Sequence, residues 1–118
     1  MKNLRKELHK LLKTKHDRVY FTENKVPKTA TFPYIVYEVE VRSDGEGTST
    51  VAIDINGWDN AKDTTALEDM MDKVKELDRA VIRTADMSMV LALEDMKPVE
   101  EKEKSINRRL YTFIGYLH

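Results

Sequence analysis

The chain contains no cysteine, so no disulfide can staple it and no thiolate can hold a metal, and nothing calls for an oxidising compartment. Long apolar runs are missing as well. Leu4, Leu8, Leu11 and Leu12 are separated by lysine, arginine and glutamate, which leaves no stretch for a signal peptide or a membrane span. Synthesis in the cytoplasm, with no membrane partner, is the expectation. No repeat and no long linker divides the 118 residues. A chain of this length is expected to form one domain, burying about two thirds of its unfolded surface.

An excess of one charge is absent overall, with a formal net charge of −1, yet the charges are unevenly placed. Residues 1–18 hold seven Lys/Arg against two acids, a local +5 that leaves −6 on the remainder. Such polarity suits contacts between copies, or an anionic partner at the basic end. A solvated lysine-rich helix face has the same composition.

Leu4, Leu8, Leu11 and Leu12 follow helical spacing, which predicts a basic amphipathic helix over residues 1–16 with Lys2, Arg5, Lys6, Lys10 and Lys13 as its candidate charged face. Residues 18–22 read as a brief strand and residues 23–32 as a loop. Over residues 33–42 the alternation is strict: Ile35, Tyr37, Val39 and Val41 share one face, with Glu38, Glu40 and Arg42 on the other. Asp44-Gly45 supplies a hairpin turn, and Val51, Ile53 and Ile55 repeat the alternation in a second strand.

Thr65 and Glu68, spaced as a capping box, open a helix whose apolar positions are Leu67, Met70, Met71, Val74 and Leu77. Met87, Met89, Leu91 and Leu93 alternate as a further strand. Residues 94–105, highly charged and interrupted by Pro98, read as an exposed loop. In the closing strand, 108–117, Tyr111, Phe113 and Leu117 lie on one face and Leu110, Ile114 and Tyr116 on the other, which predicts cover on both sides. The expected fold is a single α+β domain: a mostly antiparallel sheet of four to five strands over residues 33–117, packed with two helices.

The side chains of metal or catalytic chemistry are sparse and scattered. His9, His16 and His118 are not spaced as ligands. Asp54, Asn56, Asp59, Asn60 and Asp63 resemble a calcium loop only loosely, because glycine falls at position 57 and no glutamate closes the loop; Asp59 and Asn60 are expected to make side-chain to backbone turns, and Asp63 or Thr64 to cap the helix. Glu38 and Glu40 face outward without the lysine that accompanies nuclease carboxylates, and neither a nucleophile elbow nor a phosphate loop is present. No cofactor and no catalytic or metal residue is expected. The methionines follow the core periods. Trp58, after Gly57 at a strand end, can pack over the sheet edge or project into a neighbour.

Three segments occur in a recognisable order: Phe32-Pro33-Tyr34-Ile35-Val36-Tyr37, then Ile53-Asp54-Ile55-Asn56-Gly57-Trp58-Asp59-Asn60, then Asp63-Thr64-Thr65-Ala66-Leu67-Glu68. With Arg108-Arg109-Leu110-Tyr111-Thr112-Phe113 in the closing strand, residues 32–117 resemble the tail-terminator, or tail-completion, proteins of long-tailed bacteriophages and prophages. That resemblance implies a non-catalytic subunit of a ring, commonly hexameric, at the head-proximal end of the virion's tail. Its partners would be further copies, the tail-tube protein and a head-completion or connector protein, with DNA passing through unbound.

A heterologous ring needs two different faces on one subunit. The exposed segments supply candidate contacts in Asp44, Glu46, Trp58, Lys97, Glu100 and Lys102. Another neck or head-closure component shares the same logic. A nucleic-acid-binding module would use the basic helix, Lys15 included, and bind with steep salt dependence. A small hydrolase would depend on Glu38, Glu40 or Asp54.

Overall fold

A computed structural model describes residues 2–22, 25–43, 49–85 and 87–117. Among these residues the chain forms two helices and six strands. They are α1 (Lys2–Lys13), β1 (Val19–Phe21), β2 (Tyr34–Ser43), β3 (Ser49–Asp59), α2 (Thr65–Lys75), β4 (Val81–Arg83), β5 (Ser88–Val99) and β6 (Asn107–Leu117). The strands make one sheet in the order β1-β2-β3-β6-β5-β4. The α+β class stands, but the sheet has six strands, not four or five, and it is mixed: β1 runs parallel to β2, pairing Val19 with Ile35 and Phe21 with Tyr37, while the other pairs are antiparallel.

Each helix carries its apolar stripe to the same face of the sheet. Leu4, Leu8 and Leu12, spaced four apart, are at most 2% exposed. They join Leu67, Met71, Val74 and Leu77 against Ile35, Tyr37, Ile53, Ile55, Met89, Leu91 and Phe113 in one core. α1 lies against both β1 and β4, the two edges of the sheet. The sheet therefore curls around α1, in keeping with the twist that strands accumulate.

At the other end of β3, Gly57 lets α2 approach closely: a Cβ there would stand 2.5 Å from Met71 Sδ and 2.9 Å from Met70 Cε. The start of α2 differs from the expected capping box. Thr65 is already helical, and Asp63 Oδ1 accepts from its backbone N–H at 2.9 Å and its hydroxyl at 2.6 Å. An aspartate two residues before the first helical residue answers the free N–H groups of the first turn.

Residues 94–99, expected in a loop, continue β5. They pair with β6 after a register shift between Leu93 and Asp95, and only residues 100–106 form the connection. Pro98 is tolerated because β4 pairs with β5 only over Ser88–Val90, leaving an edge where a missing N–H costs no ladder bond. The shift also breaks the alternation, so charged residues here carry no recognisable period.

Among the described residues no helix covers the second face of the sheet. β6 was expected to be covered on both sides; instead Leu110 and Ile114 are half-buried and Tyr116 is 45% exposed. Large side chains adjoining one another across the pleat shield each other enough for this face to stay partly apolar without a covering layer.

Candidate functional site

The basic face of α1 forms one wall of an open pocket of about 610 Å³ between the helix and the end of β1. Arg5, Lys6 and Lys10 line one side, Lys25 another, with Phe21 and Tyr37 below. The Arg5 guanidinium stands 4.7 Å from the centre of the Phe21 ring, a cation held against an aromatic face. Lys13 instead donates to the carbonyl of Asp17, and the side chain of Lys2 lies outside the described residues. Lys10 makes an exposed 3.3 Å pair with Glu7, a contact of little energetic weight. The candidate basic face thus contributes three residues to the pocket.

His9 and Tyr37 were not among the candidate site residues, yet they form the pocket's ordered polar contact. His9 Nδ1 lies 2.9 Å from the Tyr37 hydroxyl, with the rings 5.6 Å apart. Burial pushes the hydroxyl up to about 12, slightly opposed by Arg5. Burial, with a smaller contribution from Lys13, pushes the His9 imidazole below its ordinary 6.5. The folded chain therefore resists a proton that the unfolded chain accepts, so His9 contributes stability that is full above 6.5 and is lost as pH falls through its lowered value. Denaturant melts of the native chain are expected to lose stability in that range, and His9→Gln to flatten the loss. Asp63, also lowered, by its bonds from Thr65, acts only below its ordinary 3.8.

A second cluster sits on the helix-free face. Trp58 and Arg108 are direct partners across β3 and β6. The guanidinium stacks on the indole at 4.7 Å, Nε donates to Asn56 Oδ1 at 2.7 Å, and Nη1 to Glu101 Oε1 at 2.9 Å. Trp58 therefore packs within its own chain, where it lines a cavity of about 250 Å³ with Val26, Tyr34 and Val36. Its Nε1 and the Asp59 Oδ2 are buried without a hydrogen-bond partner among the described residues.

Arg108→Ala is expected to cost about 1–3 kcal/mol, because it strands Asn56 Oδ1 and the half-buried Glu101 carboxylate. Proteolysis within residues 100–106 should accelerate in the same variant, since Glu101 anchors that connection.

Of the other candidate contacts, Asp44 and Glu46 lie outside the described residues. Lys97 is on the exposed half of β5, and Glu100 and Lys102 are exposed in the following connection. Lys97 shares the helix-free face with Trp58 through the row Asn56–Leu110–Lys97, and Glu100 and Lys102 flank Glu101, which bonds the Arg108 stacked on Trp58. The residues that invited a calcium comparison are taken up separately: Asp54 accepts from Thr112, Asn56 from Arg108, Asp59 from the Asn60 N–H, and Asp63 from Thr65. Among the described residues no three His, Asp or Glu side chains are grouped to hold a metal ion. Glu38 stands directly opposite Asp54 on the helix-free face, while Glu40 faces Ala52. No described helix is long and apolar enough to cross a membrane.

No family model and no curated protein matches the chain. Among solved structures, it is similar to a chain from the virion of a native gene transfer agent particle. The TM-score is 0.71 at 16% identity, covering 98% of this chain and 89% of that one. Identity this low makes the likeness one of fold, and it extends through both helices and the whole sheet.

Proposed function

We propose that this chain is a non-catalytic structural subunit of a phage-type virion: a tail terminator that forms a ring, ends growth of the tail tube and supplies the surface on which the head docks. The observation that carries the reading is the fold shared, over 98% of the chain, with a component of a gene transfer agent virion. The ordered segments at 32–37, 53–60 and 63–68 point the same way, and they lie where the fold turns from β2 through β3 into α2. A basic α1 face and an acidic remainder give one subunit the two unlike surfaces that a closed heterologous ring requires. In this reading the ring is hexameric, lies at the head-proximal end of the tail, binds the tail-tube protein on one side and a head-completion or connector protein on the other, and passes DNA without gripping it.

Sedimentation and electron microscopy of the purified protein test the ring. The expected result is a closed annulus of one stoichiometry, and a chain monomeric at every concentration overturns it. A ring that binds the head connector yet leaves tail tubes growing assigns the chain to head closure instead.

A further inference from the structure

We infer that neighbouring copies join strand to strand, the free edge of β2 in one pairing antiparallel with the free edge of β5 in the next, Val41 opposite Met96. The inference rests on the ring reading above and names its contact. Among the described residues, β1 pairs with β2 only over residues 35–37 and β4 with β5 only over residues 88–90. Residues 39–43 and 95–99 are therefore unpaired on their outer sides, at diagonally opposite corners of the sheet. The backbone of each is turned outward at alternate residues. The Tyr37 carbonyl accepts from the Thr22 N–H at 3.0 Å on the β1 side, so Val39 and Val41 direct their N–H and C=O groups to the free edge. Leu91 donates to the Ala80 carbonyl at 2.9 Å and accepts from the Arg79 N–H at 2.7 Å on the β4 side. The extra residue at the Leu93/Asp95 shift then changes the parity, which turns Met96 and Pro98 outward.

One register satisfies both edges. Val41 and Met96 are large apolar residues left 50% and 46% exposed. Both stand on the helix side of the sheet, Val41 in the row of Val51 and Met96 in that of Tyr111 and Ile55. Opposite each other they form a hydrogen-bonded pair, and on the helix-free side exposed Arg42 then meets exposed Asp95 while exposed Glu40 meets exposed Lys97. In the isolated chain Arg42 pairs with Glu40 at 3.5 Å, both exposed, a contact of little weight that the next copy replaces. A slip of one residue would send Val41 and Met96 to opposite faces. A slip of two would set Glu40 against Asp95 or Arg42 against Lys97, like charges directly opposite.

The geometry also suits a closed ring. Met96 shares the row of Tyr37, four residues before Val41 on β2, so each copy is offset along the strands by about 14 Å. The four strands from β2 to β5 carry it sideways by about 19 Å. Strands inclined by about 35° to the ring axis cancel the offset, and closed barrels hold their strands at such a tilt. Pairing either edge with itself would leave the other open, whereas the head-to-tail contact uses both edges of every copy.

Because the chain has no cysteine, disulfide trapping reads this contact without background. The Cα atoms of a hydrogen-bonded antiparallel pair stand about 5.5 Å apart, within disulfide range. Val41→Cys mixed with Met96→Cys should give crossed dimers on oxidation, with neither variant dimerising alone. The double variant should give a ladder ending at the ring number. Lys97→Glu in the Met96→Cys copy should lower the crossed yield by about fivefold, and Glu40→Lys in the Val41→Cys copy should restore it. Crossed dimers formed with Pro98→Cys in place of Met96→Cys would set a different register and overturn the inference. Self-dimers of Val41→Cys or Met96→Cys alone would mean a two-fold contact and overturn it as well. A protein that sediments as a ring but gives no crossed dimer overturns the contact and leaves the ring standing. A protein monomeric throughout overturns both.

Discussion

Phe113→Ala is expected to lower the unfolding free energy by about 3–5 kcal/mol, a large part of the roughly 5–15 kcal/mol that holds a domain together. Phe113 is fully buried in β6, one of the two central strands, opposite Ile53 on one side and Leu93 on the other. Its ring faces the helices, and the core around it draws on α1, α2 and most of the sheet. Collapse around the resulting void is limited because the backbone on both sides is fixed by ladder bonds, so the cavity term adds to the lost transfer energy. Denaturant titration should show the midpoint falling with its slope unchanged, as for loss of stability without a change in the surface exposed on unfolding. A loss below 1 kcal/mol would mean that the two layers do not meet at β6.

Leu8→Ala should cost about 2–5 kcal/mol, and the loss should be distributed differently. α1 has 12 residues, too few to persist alone in water, and Leu8 is the middle of its buried stripe. Since α1 lies against both sheet edges, loosening it removes the support of β1 and β4 before that of the central strands. Hydrogen exchange should therefore rise first in Val19–Phe21 and Val81–Arg83, with residues of β3 and β6 following only at global unfolding. Lys6→Ala, on the exposed side of the same helix, is the control and should change stability by no more than about 0.5 kcal/mol.

The parts of the fold readable from sequence are those where one face is buried and the other is wet. Ile35 to Val39 and Val51 to Ile55 alternate because α1 and α2 cover that side of β2 and β3, whereas Val41, expected on the same face, lies beyond the helices and is 50% exposed, and Val36 and Ala52 are buried on the other face; Leu67 to Leu77 repeats at the helical period because one side of α2 meets the sheet. The misread parts lack that asymmetry. Residues 94–99 run along a free edge where charge is tolerated, and a register shift breaks their alternation. Three-residue β4 has a single buried side chain, Ile82, too little for any period. The parallel setting of β1 is a matter of which neighbour it finds, and a three-residue apolar run does not encode that.

The site shows the same division. The basic face of α1 was legible as charge, but its partner wall, Phe21 and Lys25, comes from a different element and is known only once β1 lies beside β2. Arg108 was visible only as part of a closing strand. Its place above Trp58 depends on the β3–β6 register, which pairs those two positions directly. His9 was considered only as a metal ligand, and its partner Tyr37, 28 positions away, comes within reach only once α1 lies on the sheet.

Tail-tube assembly with and without the protein is the most direct test of the proposed role. The tube protein alone should polymerise to lengths without a defined limit. With this chain added, growth should stop, and electron microscopy should show one ring at one end of each tube. Tubes that lengthen unchanged in its presence, with no density added at either end, would contradict the terminator role.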